Sequence, residues 1–328
     1  MATRKTTMPY VKLGNSGLKV SKIILGTMQY GVRAPAWPWV LSEEEGIQHI
    51  KAAYVKMPTV LKRKGVAGER ILGKAIKVLK LPRDEIVVMT KLWAPVGRHP
   101  DVNFFAAPPG DGPDENGYVN QHGLSRKNVF ESVKHSLERL QLDYIDLLQC
   151  HRFDYNTPIE ETMQALHDVV KAGYVRYIGM SSCYAYQFHA MQNYAINNKL
   201  TPFISMQNHY SLLYREEERE MMPTLKHFGV GCIPWSPLAR GLLTRPLSQQ
   251  TKRGESDWGI KYGNYKSAAS EEIVNRVEEV AKKKGLTMAQ VALAWCYSKP
   301  AAVNLTLTDE EVKYLEEPYQ PRAIFGHS

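Results

Sequence analysis

Cysteine is scarce in this sequence. Cys150, Cys183, Cys232 and Cys296 are the four in 328 residues, and no two form a CxxC pair. That spacing argues against a disulfide framework or a zinc-ribbon site, so free thiols and no metal centre are expected. Long apolar runs are missing too, and none approaches the roughly 20 residues that a membrane helix needs. Met1 to Met8 is polar and basic without an apolar centre, which is not a secretory leader. A cytoplasmic protein with no membrane contact is therefore expected. The 42 Lys and Arg outnumber the 33 Asp and Glu for a net charge of +9, favouring anionic partners. Yet no basic run is interleaved with aromatics, so nucleic acid is not expected, and a phosphate-bearing cofactor suits the same charge. Close internal repeats are absent as well.

What is present is a substantial apolar fraction, 44% of residues, enough for a large core. The chain is organised around Tyr144-Ile-Asp-Leu-Leu-Gln-Cys-His-Arg-Phe-Asp154. Tyr144 to Leu148 reads as a strand buried on both faces, ending at a polar tip, Gln149-Cys150-His151-Arg152. A helix pattern precedes it, capped by Ser125 with Val129, Val133, Leu137 and Leu140 at helical spacing. Another follows, with Thr157 as cap, Pro158 at the first helical position and Gly173 as the stop. Such βα units place their chemistry at the strand tip. His151 can orient or protonate a substrate oxygen there, or merely cap a strand end. On these residues alone the two readings stand level.

The rest of the chain repeats the rhythm. Tyr10 to Val20 alternates about Gly14-Asn15-Ser16-Gly17, a hairpin signature. Ile23-Ile24-Leu25 reads as a strand tipped by Gly26-Thr27-Met28, where small residues let a ligand approach the backbone. Ser42-Glu-Glu-Glu45 is a capping box. Val55 to Gly65 is basic, proline-interrupted and aperiodic, and only Thr59-Val60-Leu61 can serve as a second strand. Gly68 to Leu79 is a predicted helix, and Ile86 to Met89 a buried strand closed by Thr90-Lys91. Lys91 either snorkels to solvent or adds charge to a site. Trp93 to His122 is long enough for a lid or binding loop. Further strands are expected at Val175 to Met180, tipped by Ser181-Ser182, and at Phe203 to Met206, tipped by Gln207-Asn208. Gly231 to Trp235 comes next, tipped by Ser236-Pro237-Leu238-Ala239-Arg240-Gly241. Ser248 to Ser270 reads as a surface loop, with Ser270 capping a helix that Gly285 ends, and Thr287 caps the helix carrying Trp295.

Polar groups gathered at one end of successive parallel strands, with a helix after each, describe a (β/α)8 TIM-type barrel with an N-terminal hairpin. At this point the sequence resembles the aldo-keto reductases. The likeness is carried by Gly17-Leu-Lys-Val-Ser-Lys-Ile-Ile-Leu-Gly-Thr-Met28, Met89-Thr-Lys91 and Asp143 to Asp154. It continues in Gly179-Met-Ser-Ser182, Gln207-Asn-His-Tyr210 and Trp235-Ser-Pro-Leu-Ala-Arg-Gly-Leu-Leu243. The ending Tyr314 to Arg322 resembles the branch of fungal aryl-alcohol dehydrogenases and versiconal-type reductases. The resemblance implies one barrel domain over residues 1–328 and hydride transfer from NADPH to a small-molecule aldehyde or ketone. In that family a tyrosine is the usual general acid, tuned by an aspartate and a lysine, because a nearby ammonium eases proton release from a phenol. Lys91 matches the lysine and His151 the histidine that orients the carbonyl. Ser181, Ser182 and Gln207 match the nicotinamide-carboxamide positions, and Trp235 the aromatic beside the ring. Gly26, Thr27 and Met28 are expected beside the cofactor, and Ser236 to Gly241 along the pyrophosphate.

Two departures stand out. Val55 to Ala67 replaces the passage that in the family carries the second strand, the aspartate and the tyrosine. After Pro300, Ala301 to Leu305 leads directly to Thr308-Asp-Glu-Glu311, where the family carries an eighth strand and the segment gripping the adenosine 2′-phosphate. The barrel is therefore expected to be irregular or incomplete at strands 2 and 8. Three readings follow: a working reductase with another proton source, an impaired nucleotide-binding relative, or a mis-spliced form of an active reductase.

Overall fold

The computed structural model describes residues 8–32, 38–56, 59–61, 66–99, 110–257, 259–260, 265, 267–298 and 307–327. Strands β1 (Tyr10–Lys12) and β2 (Lys19–Ser21) form the antiparallel hairpin, with Tyr10 opposite Ser21. Seven parallel strands follow in sequential order: β3 (Leu25–Gly26), β4 (Thr59–Leu61), β5 (Val87–Leu92), β6 (Ile145–Cys150), β7 (Val175–Ser181), β8 (Ser205–Gln207) and β9 (Gly231–Cys232). Helices α1 (Glu43–Lys56), α2 (Val66–Val78), α3 (Arg126–Leu140), α4 (Ile159–Lys171), α5 (Ala185–Asn197) and α6 (Met221–Phe228) alternate with them. Beyond the last strand come α7 (Lys252–Ser256), α8 (Ala268–Lys284), α9 (Met288–Ser298) and α10 (Asp309–Glu316).

Side-chain alternation shows that this sheet curls. Met89 of β5, Leu147 of β6 and Ile233 just past β9 share one apolar cluster with Leu13 and Val20 of the hairpin. In a flat sheet β5 and β9 would lie four strand spacings apart, roughly 19 Å. A common cluster therefore requires a closed, barrel-like interior that the hairpin plugs at its floor. The hairpin turn docks on the entry to β9: Asn15 N–H donates to Gly229 O (2.7 Å). Gly14 is left-handed there (φ +59°), and an added Cβ would lie 2.4 Å from that oxygen. The alternate residues Val88, Leu92, Leu148, Cys150, Ile178, Met180 and Met206 face outward and join the helices in the main core. This is the (β/α)8 architecture. Tyr297, at the end of α9, donates to Lys22 O (2.8 Å) just before β3, bringing the chain back to the first strand. The expected site of the eighth strand, 299–306, lies outside the described residues.

Thr59–Leu61 does form the second strand, pairing in parallel with β3 and β5, though it is three residues long. Glu69 pins α2 against its neighbours: Thr90 Oγ1 donates to one carboxylate oxygen (2.6 Å) and Arg139 Nε to the other (2.5 Å). The caps at Ser42, Ser125 and Thr287 form as expected, and Thr308 caps α10 as well.

Several boundaries move. Thr90 and Lys91 lie within β5, and Gln149 and Cys150 within β6, so His151 and Arg152 remain at that tip. Lys91 and Gln149 continue these strands because the barrel interior accepts them above the apolar floor, while Thr90 bonds Glu69 of α2 and Cys150 joins the outer core. The first parallel strand is Leu25–Gly26 rather than Ile23 to Leu25. Pro158, not Thr157, is the N-cap residue of α4, because Thr157 Oγ1 donates to Asp154 (2.7 Å) instead. Ser267 caps α8 in place of Ser270, which lies buried inside the first turn. The expected loop from Ser248 contains α7 and the buried Asp257. Part of the long Trp93–His122 connection falls outside the described residues, but its end is anchored by Gly123 N–H on Trp93 O (2.7 Å).

Candidate active site at the C-terminal ends of the strands

The parallel register carries the site. Lys91 pairs with Gln149, Gln149 with Gly179, and Gly179 with Ser205, so these positions form one interior layer across four strands. Gly179 is needed there, since an added Cβ would lie 2.2 Å from Ser205 Oγ. Lys91, Gln149 and Ser205 are all buried. Both amide atoms of Gln149 are buried without a hydrogen-bond partner among the described residues, which marks the interior as a polar chamber. Above this layer His151 N–H bonds Leu92 O (2.9 Å), and Ser181 pairs with Gln207, whose carbonyl accepts from Ser181 Oγ (2.7 Å).

The next tip is tied to these. Trp235 Nε1 donates to Ser182 Oγ (3.1 Å), and Trp235 N–H to Asn208 O (2.9 Å). Ser182 N–H donates to Asn208 Oδ1 (2.7 Å). The structure thus brings Lys91, His151, Ser181, Ser182, Gln207 and Trp235 to the same ends of consecutive strands. Gly26, Thr27 and Met28 close the first strand at that end, with Thr27 buried. A Cβ added at Gly26 would meet nothing within 4 Å, so this tip borders open space.

Ser236 to Gly241 wraps over the rim, with Ala239 and Arg240 buried. Ser236, Ala239, Arg240 and Gly241 all have positive φ, as does Ser182. Left-handed backbone in non-glycine residues is costly and gathers at ligand sites, where consecutive N–H groups can form an anion nest. Arg240 is held by Asp257 (2.8 Å), which also accepts from Arg253 (2.9 Å), while Arg245 donates to Gly241 O (2.8 Å). Burial pushes the Asp257 carboxyl up, but Arg240 and Arg253 outweigh it and hold the carboxyl below its usual range. Two guanidiniums on one carboxylate, with Arg245 beside them on backbone carbonyls, leave this rim positive.

His209 backs the aromatic member. It is sandwiched between Tyr214 and Trp235, each ring 4.2 Å away and nearly parallel. Burial, then the charges of Arg240, Arg322, His327 and Arg152, hold its pKa well below the usual value. Burial raises the Tyr265 phenol, so that hydroxyl keeps its proton, and it shares a hydrogen bond with His209 Nε2 (2.6 Å). Trp235 therefore meets a neutral ring on one face, and the Arg240 guanidinium lies 6.0 Å from its centroid.

Sequence reasoning missed Gln149, Asn208 and His209 as site residues. Asn208 and His209 stood within a matched motif, but an alternating strand tip carries no signal of which neighbour its side chain will meet. Among the described residues no group of three or more His, Cys, Asp and Glu is disposed to hold a metal ion. All four cysteines are free thiols, and burial raises Cys232 to about 12. No helix among the described residues is long and apolar enough to cross a membrane.

Residues 22–318 match the Aldo/keto reductase family. The chain is 46% identical to a versiconal hemiacetal acetate reductase of Aspergillus parasiticus, over 97% of this chain and 98% of that protein. It is 44% identical to an aldo-keto reductase of Alternaria alternata, over 97% and 94%. It is also 44% identical to a Schizosaccharomyces pombe protein provisionally named an aryl-alcohol dehydrogenase, over 97% of each. The first of these alignments runs to 344 positions, more than the 328 residues of this chain, so the relative carries residues inside the matched span that this chain lacks. With barrel, strand-tip motifs and near full-length identity in agreement, the chain belongs to the aldo/keto reductase family of oxidoreductases.

Proposed function

We propose that this chain is a cytoplasmic, single-domain NADPH-dependent reductase of an aldehyde or ketone, of aryl or secondary-metabolite type. The observation that carries the reading is the hydrogen-bonded register linking Lys91, Gln149, Ser181, Gln207, Ser182 and Trp235 along adjacent strand ends. The residues present fit a nicotinamide dinucleotide: an open first tip, an aromatic face backed by His209, and a positive rim of left-handed backbone. Ser181, Ser182 and Gln207 would hold the carboxamide, Trp235 the ring, and Ser236, Pro237, Leu238, Ala239, Arg240 and Gly241 the pyrophosphate, with Gly26 to Met28 opposite. NADPH, when bound, supplies a hydride to the carbonyl carbon.

The chain's own catalytic work is to hold the carbonyl oxygen and give it a proton. His151 donates a hydrogen bond to that oxygen, and Lys91 adds positive charge from the layer below. Neither Tyr54 nor Tyr30 takes the place of the family's acid. Tyr54 donates to Glu85 (2.5 Å), which precedes β5 at the opposite end of the barrel. Tyr30 is buried in the main core, where burial lifts its phenol to about 12. The proton thus falls to His151 or to solvent, and a positioned general acid is worth ~10²–10⁴-fold in rate. Turnover should be low, with little preference for NADPH over NADH, because the family's 2′-phosphate segment has no counterpart in the sequence.

The test is turnover of an aryl aldehyde with NADPH, beside a variant in which the relatives' second-strand passage replaces 55–67. The graft should gain at least ~10²-fold. Family-like turnover without it defeats the reading, and equal rates show that the tyrosine was never limiting. The residues missing from the matched span favour a second reading, a mis-spliced form of an active reductase. Transcript sequencing separates the two.

A further inference from the structure

The C-terminal tail does not stay on the outside of the barrel. From α10 it is led inward by Glu216, whose Oε1 accepts from Tyr319 Oη (2.7 Å) and from Arg322 N–H (2.8 Å). Phe325 N–H then donates to Tyr214 Oη (3.0 Å), the same tyrosine that stacks on His209. Gly326 follows with φ +87°, and a Cβ added there would lie 3.6 Å from both Trp235 Cζ2 and an Arg152 Nη. His327 is 6% exposed, as buried as Lys91. Its ring meets Tyr184 edge-on at 5.0 Å, and its Nε2 lies 2.9 Å from Glu217 Oε1, a close polar approach off the hydrogen-bond axis.

Glu217 makes this contact consequential. It is itself buried, and a buried carboxylate needs partners to be tolerated. Its other oxygen accepts from Asn208 Nδ2. Asn208 is fully buried, and its Oδ1 receives Ser182 N–H. That bond holds a serine at φ +49°, a conformation that serine does not adopt unaided. Ser182 in turn accepts from Trp235 Nε1. An unbroken run of contacts thus leads from the tail through Glu217 and Asn208 to the backbone of Ser182 and the indole of Trp235.

We propose that His327 is a positioning residue for the nicotinamide seat: by fixing Glu217 and Asn208 it holds Ser182 and Trp235 in their ligand-ready geometry. The proposal rests on the cofactor reading above. It assigns the tail to the cofactor ring.

The test uses the full chain with His327→Phe, which keeps an aromatic edge for Tyr184 but removes the nitrogen beside Glu217. His327→Gln returns a donor, and Gln207→Ala probes the seat itself. Amide hydrogen exchange is read at the Ser181–Ser182 peptide, NADPH affinity by nicotinamide fluorescence, and melting temperature as a control for general damage. In His327→Phe both Ser182 exchange and the NADPH Kd should rise about tenfold, the scale of one lost contact to a charged group. His327→Gln should recover part of both, with melting temperatures alike. Unchanged exchange and affinity in His327→Phe, with Gln207→Ala impaired, overturns the tail's role alone. Unchanged affinity in Gln207→Ala means that the seat is misassigned, and the proposal falls with it. A fall in melting temperature that the Gln variant does not repair reduces His327 to packing and also overturns it.

Discussion

The neutral histidine behind Trp235 makes stability depend on pH in a way that can be measured. His209 is 1% exposed, and its pKa is held well below the ordinary value by burial first and then by Arg240, Arg322, His327 and Arg152. The groups bearing on it come from the β6 tip, the rim after β9 and the C-terminal tail. In the unfolded chain the imidazole titrates near 6.5. Between that value and the lower folded one, only the unfolded state binds the proton, so unfolding gains free energy as pH falls. Stability is complete above about pH 6.5 and is lost below it, approaching ~1.4 kcal/mol per pH unit. From pH 7.5 to 5.5 the loss attributable to His209 is about 1.4 kcal/mol, roughly 2 °C in melting temperature for a chain of this length. Urea unfolding at five pH values across this window, on the parent and on His209→Phe, isolates the effect. Phe keeps a ring between Tyr214 and Trp235 but cannot titrate. The variant will be less stable overall, having lost the Tyr265 bond, but its slope over the window should be shallower by that amount. Identical slopes would mean that His209 takes up its proton in the folded state, and the neutral stack behind Trp235 would be wrong.

Other changes probe the frame. Glu69→Ala strips the half-buried Arg139 of its carboxylate and Thr90 of its acceptor, and should cost ~1.5–3 kcal/mol by urea titration; a loss below ~1 kcal/mol would show that α2 does not need this anchor. Gly14→Ala places a Cβ 2.4 Å from Gly229 O in a left-handed residue, so the hairpin should detach and become protease-sensitive while the barrel stays folded. An unchanged digestion pattern would show that the floor does not depend on this turn. Asp257 has a depressed carboxyl pKa, so its contribution is present above the unfolded value near 4 and lost as pH falls through the folded one. Asp257→Asn should remove that acid-limb loss, and an unaltered limb would show that the Arg240 clamp carries no net stability.

Much of this protein is legible in its residues. Apolar runs of strand length broken by polar tips, with helix caps between them, impose parallel βα units whatever the surroundings, because buried backbone must pair and apolar faces must be covered. Ser42, Ser125, Thr287 and Thr308 announce helix starts by local bonds that their own sequence supplies. Thr157 and Ser270 mislead for the opposite reason: each has the right chemistry, but Asp154 takes the first and the fold of the preceding turn gives the cap to Ser267. The residues place strand ends too early at Leu148 and Met89, since a polar residue looks like an exit unless the barrel interior is polar.

What no single stretch contains is the meeting of distant side chains. The residues alone carry the alternation of strands and helices, the motifs at their tips and the lack of a tyrosine after the second strand. Folding adds that Gln149 lies beside Lys91, that His209 backs Trp235, and that His327 reaches Glu217, whose partner Asn208 bonds Ser182. The reason is physical: local order follows from nearest-neighbour sterics and hydrogen bonds, whereas these contacts arise when barrel curvature brings strand ends far apart in sequence within bonding distance.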